Sequence, residues 1–116
     1  MKYLRLTKIS VAALLLFTCA LSISAQQSGA YDAAKVAAEA FRSRCSTCHA
    51  DNGEGTEVGA TLGVANLRSV RVQRENDAVI RHAITEGKGN MPAFGHDYNE
   101  SEVNELIKLI RGFAKK

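Results

Sequence analysis

The sequence predicts an all-α domain, on three observations. Beyond residue 30 no stretch alternates apolar and polar residues in the manner of a strand. Three segments instead repeat apolar residues at helical spacing, each with a start or stop signal beside it. Short helices like these bury little apolar surface for a small chain, and domains of that size usually need a staple or a prosthetic group to fold. The sequence therefore asks for something to fill its centre.

The chain begins with a segment that reads as an address. "MKYLRLTK" carries Lys2, Arg5 and Lys8 and no acid, and residues 9–23, "ISVAALLLFTCALSI", are apolar but short for a bilayer span. Residues 1–25 are expected to be a cleavable secretory signal peptide and 26–116 the domain, with cleavage after Ala25. The whole chain has 15 basic and 12 acidic residues, for a formal charge of +3, and the three basic residues of the leader account for that excess. The mature domain is then neutral and offers no basic field for nucleic acid. Cys19 also leaves with the leader. A lipid tether through it is the alternative, but Phe17 and Thr18 fit a lipoprotein signal poorly.

From Asp32 the chain reads as the first helix, with Ala33, Val36, Ala37, Ala40 and Phe41 on one stripe and Asp32 as cap or first-turn acid; it is expected to end near "RSRCS". Residues 51–63, "DNGEGTEVGATLG", hold four glycines and read as a loop able to pass close to something bulky. Residues 64–75 fit either a short helix or an extended segment. The second helix spans Asn76 to Glu86, capped by Asn76 and stopped by Gly87, with Val79, Ile80, Ala83 and Ile84 on its apolar face. "GKGNMPAFGHDY" must be a loop, because Pro92 pushes Met91 out of helical geometry. The last helix starts at Asn99, where Glu102 completes a capping box, and its apolar face is Val103, Leu106, Ile107 and Ile110.

The chemistry lies in "CSTCH". Cys45 and Cys48 stand one helical turn apart with His49 next, the spacing of a c-type haem attachment site: two thioethers to the porphyrin and an axial imidazole. Three other readings compete. A structural zinc site would need a second ligand pair, and beyond the leader only His82 and His96 are left to supply one. A thioredoxin-like C-x-x-C would want a βαβ setting. A structural disulfide would leave His49 without a purpose.

With these residues placed, the chain from 31 to 116 resembles a class I cytochrome c of the small bacterial, monohaem kind. Phe41 stands four before Cys45, "CSTCH" is followed by the glycine-rich "ADNGEGTEVG", and "MPAF" precedes the last helix. The resemblance implies three main helices wrapped around a covalently attached haem. Leu106, Leu109 and Ile110 would face Ala37 and Phe41. Cys45 and Cys48 would hold the haem, and His49 and Met91 would ligate its iron. There are two departures: Ala37 replaces a helix-crossing glycine, and Ala60 stands where a proline would orient the proximal histidine. A backbone carbonyl near Gly59 or Ala60 is expected to take that role.

Met91 is the sole methionine outside the leader, sits among Gly87, Gly89 and Pro92, and no apolar periodicity demands it, so it is preferred over His82 and His96 as sixth ligand. Arg68, Arg71 and Arg74 read as a solvated face ahead of a role toward haem propionates or a partner. The function these readings imply is an exported, periplasmic, monomeric carrier of single electrons, not an enzyme. Its partners would be redox proteins, a dehydrogenase or an oxidase, met transiently and with no membrane span once the leader is gone. The alternatives are a haem enzyme or gas sensor with an open sixth site, and the electron-accepting subunit of a periplasmic dehydrogenase.

Overall fold

The structure, a computed structural model, describes residues 27–114; the expected leader and Cys19 lie outside them. Helix α1 (Gln27–Ala40) begins ahead of Asp32, so that residue is interior to the helix and not its cap. Nor does the helix stop at "RSRCS". Residues Phe41–Cys45 widen into one π-helical turn, with Ser46 N–H donating to the Phe41 carbonyl, and α2 (Ser46–His49) continues from it. A π turn inserts one residue into the helical register and is found mostly at functional sites. Here it rotates the "CSTCH" segment relative to the stripe that α1 buries.

The glycine-rich stretch holds a short helix that its composition hid, α3 (Glu57–Thr61), capped by Thr56, whose Oγ1 accepts from Gly59 N. The ambiguous segment forms α4 (Val70–Arg74), with Ser69 as cap. Helix α5 (Asp77–Glu86) starts at Asn76 and stops at Gly87, as its sequence predicts. Helix α6 (Glu100–Gly112) opens with the Asn99–Glu102 capping box, both hydrogen bonds present. There is no strand among the described residues, only an isolated antiparallel bridge between Lys88 and Met91. The class is all-α.

One apolar cluster joins these pieces. Ala37, Ala40 and Phe41 of the first helical segment meet Leu67, Val72, Ile80, Ile84 and the α6 face Val103, Leu106, Ile107 and Ile110, with Leu109 half-buried against them. The α1 stripe is mostly alanine, which lets neighbouring backbone come close, and Phe41 supplies the bulk at its end. The Phe41 ring packs tilted on Phe113, just past α6, with ring centroids 5.1 Å apart.

Two polar side chains lock the end of α6 onto α4. Gln73 Nε2 donates to the carbonyls of Leu67 (2.6 Å) and Ile110 (2.9 Å). Arg111 donates to the carbonyls of Val72 (3.1 Å) and Gln73 (2.9 Å) and, through Nε, to Asp77 Oδ1 at 3.0 Å. These bonds tie carbonyls at the ends of α4 and α6, and in the turn before α4, to side chains of the facing segment. The helices thus close around one end of the core and leave the other end open.

Candidate haem site

The open end is a cavity of about 380 Å³, within the roughly 300–1,000 Å³ usual for cofactor sites. Its walls are apolar: Phe41, Leu67, Val72, Ile80, Ile84, Leu106 and Ile110 all line it. Cys45 and His49 reach it from the helical side and Met91 from the loop before α6, so three residues that the sequence singles out converge on one space. The Cys48 side chain is not among those lining it. His82 and His96 are exposed and away from it.

His49 is half-buried and its Nδ1 lies 3.2 Å from the Ala65 carbonyl oxygen. A carbonyl can only accept, so Nδ1 carries the proton and Nε2 keeps a free lone pair. Desolvation lowers the His49 pKa, opposed by the bond to Ala65, so the ring is held neutral, as a metal ligand must be. The acceptor is therefore Ala65 and not Gly59 or Ala60. The reason is α3: its Gly59 carbonyl accepts from Leu62 N and Val64 N, and its Ala60 carbonyl from Gly63 N.

Gly59 has a different task. A Cβ there would stand 2.1 Å from the Cys48 carbonyl oxygen, so α3 lies directly on the backbone of the "CSTCH" segment. Thr56 completes the contact. Its N–H donates to the Cys48 carbonyl at 2.9 Å and its hydroxyl to the Thr47 carbonyl at 2.8 Å. The turn after His49 is also tight, because Ala50 adopts φ 59° and ψ 162°, a region essentially reserved for glycine.

Cys45 and Cys48 are free thiols. Burial pushes Cys45 up to about 11, the opposite of the depressed value that a reactive redox cysteine needs. Among the described residues no three His, Cys, Asp or Glu side chains converge as metal ligands. Two thiols on one turn, with Cys45, a neutral imidazole and a thioether at the apolar cavity, match the donor set of a covalent haem.

Met91 rests on a two-residue turn. Lys88 N donates to the Met91 carbonyl (3.1 Å) and Met91 N to the Lys88 carbonyl (3.0 Å), with Gly89 at φ 61° as the first central residue, the II′ arrangement. Phe94 N and Gly95 N then donate to the carbonyls of Ile84 and Thr85, which end α5. Of the three arginines, Arg71 reaches the cavity rim beside Glu75 and Lys88, while Arg68 faces Glu54 at 3.5 Å and Arg74 is exposed.

Comparison with known proteins agrees with this geometry. Residues 32–110 match the family model described as cytochrome c oxidase, cbb3-type, subunit III. This chain belongs to that family of class I c-type cytochromes. It is 36% identical over 91 residues to the cbb3-type cytochrome c oxidase subunit FixP of Azorhizobium caulinodans, covering 77% of this chain and 30% of the relative, so it spans under a third of that protein. It is 30% identical over 73 residues to cytochrome c6 of Euglena viridis, covering 63% of this chain and 84% of that one. A solved structure, the KustC0563 c-type cytochrome, superposes with a TM-score of 0.63 at 30% identity, over 67% of this chain and 96% of that chain. The cytochrome c fold, a covalently bound haem c and a haem-containing electron carrier follow from this membership.

The sequence reading missed three site features. Ala65 acts through a backbone carbonyl, which no residue type announces. The close packing of Gly59 was hidden in a stretch read as loop. Asn90, whose Nδ2 donates to the Leu62 carbonyl at 3.0 Å, was legible only as part of a turn.

Proposed function

We propose that residues 26–116 form an exported carrier of single electrons in which Cys45 and Cys48 bind haem c through thioethers and His49 and Met91 are the axial ligands. The observation that supports it most is the convergence of Cys45, His49 and Met91, up to 46 positions apart in sequence, on one apolar cavity. Haem c supplies one-electron chemistry at its iron, cycling between ferric and ferrous. The chain does the rest. Ala65 holds the His49 tautomer that leaves Nε2 free to bind iron; Met91 would supply the second ligand and so keep oxygen and peroxide off; the apolar wall would exclude water and limit the charge rearrangement of each transfer. Arg71 and Lys88, both at the rim, would be the cations to meet the haem carboxylates.

The leader "MKYLRLTK" with residues 9–23 supports export to the periplasm, the compartment in which the carrier would work. The relation to an oxidase subunit makes a terminal oxidase the favoured transient partner. Among the described residues no helix is long and apolar enough to cross a membrane.

An absorption spectrum of the protein, expressed in a host that attaches haem, tests the site. Sharp ferrous bands of a c-type haem and the weak red band of ferric iron bound to methionine sulfur are expected. Met91→Ala should abolish the red band and admit carbon monoxide to the ferrous iron; His49→Ala should lose the low-spin spectrum altogether. A high-spin wild-type spectrum, or a red band that survives Met91→Ala, would refute the ligand assignment.

A further inference from the structure

The loop that presents Met91 is anchored on two sides. On one it sits on α5 through Phe94 and Gly95. On the other, Asn90 donates to the Leu62 carbonyl across 28 residues of sequence, and both residues line the cavity. Among the described residues no other hydrogen bond joins residues 87–95 to residues 62–65. Leu62 is the C-cap of α3, so its carbonyl has no helical donor and the Asn90 amide supplies one. The same short segment ends at Ala65, whose carbonyl holds His49. Residues 62–65 therefore touch the imidazole side at one end and the methionine turn at the other.

We propose that Asn90 is a positioning residue for Met91, a latch across the cavity mouth that holds the methionine side closed. The inference rests on the reading above in which Met91 ligates the iron. Asn90 is a central residue of the Lys88–Met91 turn, and the paired backbone bonds of that turn make it move as a unit. Fixing Asn90 fixes the backbone of Met91. Without the latch the turn is hinged on α5 alone and opens toward solvent. The bond is exposed to water, so its contribution is that of an ordinary neutral hydrogen bond and the open population rises modestly when it is removed.

Imidazole binding to the ferric holoprotein at neutral pH reads that population, because imidazole takes the sixth site only when Met91 is off, and its apparent affinity scales with the open fraction. Asn90→Ala, and Asn90→Asp, which keeps the shape but cannot donate when ionised, should each raise imidazole affinity about five-fold. The thermal unfolding midpoint should stay near that of wild type. Affinities within two-fold of wild type in both variants would overturn the latch. A rise that only tracks a matching loss of global stability would also overturn it, by making Asn90 a general structural residue. If the wild-type ferric protein lacks the methionine–iron band, the ligand reading fails and the latch with it; a normal wild-type band with unresponsive variants sinks the latch alone.

Discussion

His49 and Met91 face one cavity from segments built by different means. On the histidine side every carbonyl from Ser46 to His49 has a partner: Ser46 accepts from Ala50, Thr47 from the Thr56 hydroxyl, Cys48 from Thr56 N and His49 from Gly55 N. Backbone also packs on backbone there, through Gly59. On the methionine side a nine-residue stretch of turn is fastened at the end of α5 and by the single Asn90 latch across the mouth. The difference implies a division of labour. The histidine side behaves as part of the fold, and its loss is global; the methionine side behaves as a local closure, and its loss is an opening. This is also the order in which stability is distributed in proteins, from cooperative cores to loops that open alone.

The largest expected effect therefore falls on Gly59. A methyl group there meets the Cys48 carbonyl at 2.1 Å, and since the obstacle is backbone, α3 must shift as a whole. Gly59→Ala should cost about 3 kcal/mol of global stability, at the upper end of overpacking penalties. It should also depress the yield of haem-attached protein. Thermal denaturation of the holoprotein measures the first and pyridine haemochrome quantitation the second. A variant as stable as wild type would show that the contact of α3 with the "CSTCH" segment contributes nothing.

Gly87→Ala is the counterpart on the other side. Gly87 has φ 79°, and a Cβ would stand 2.6 Å from the Met91 carbonyl oxygen. Left-handed backbone costs alanine about 1–2 kcal/mol, and the close contact adds to it, so the turn should be displaced. If the two sides differ as described, this cost appears as easier displacement of Met91 by imidazole, with a smaller fall in unfolding midpoint than Gly59→Ala produces. Equal falls in midpoint would erase the distinction between fold and closure.

Ala50 offers a test of the opposite sign. It follows His49 in a backbone region that costs a non-glycine residue about 1–3 kcal/mol, against which glycine brings about 0.5–1 kcal/mol of extra unfolded-state entropy. Ala50→Gly should raise stability by about 1 kcal/mol while the spectrum stays the same. A destabilised variant would mean that the alanine methyl is packed more usefully than its backbone is strained.

The same contrast explains what the sequence disclosed. Side-chain periodicity and capping residues announced α5 and the start of α6 to within a residue, and C-x-x-C-H with a lone methionine in a proline-containing loop marked residues that converge. What stayed hidden was made by backbone. The π turn at Phe41–Cys45, the packing of Gly59 on Cys48 and the Ala65 carbonyl depend on where the main chain passes, and residue type records that only weakly. The expectation of an acceptor near Gly59 or Ala60 was right in role and wrong in place, because "TEVGAT" coils into a helix that uses those carbonyls itself.

The smallest expected effect concerns Tyr98, where the two sides meet. Tyr98 lines the cavity, packs on Phe94 with ring centroids 6.3 Å apart, and has its hydroxyl pKa raised above the ordinary 10.0. Burial is the main cause; Arg44 opposes it, while Cys45, Asp97 and Glu102 add to it. A phenol whose folded pKa exceeds its unfolded one binds its proton more tightly in the native state. Its titration therefore leaves stability unchanged well below pH 10 and lowers it as pH rises from there through the higher folded value. In an alkaline titration followed by tyrosinate absorbance, Tyr98 should ionise above the ordinary value, and Tyr98→Phe should remove that step. The variant should match wild type in neutral stability and decline less steeply above pH 10. A late step that persists in Tyr98→Phe would show that Tyr98 is not the group responsible.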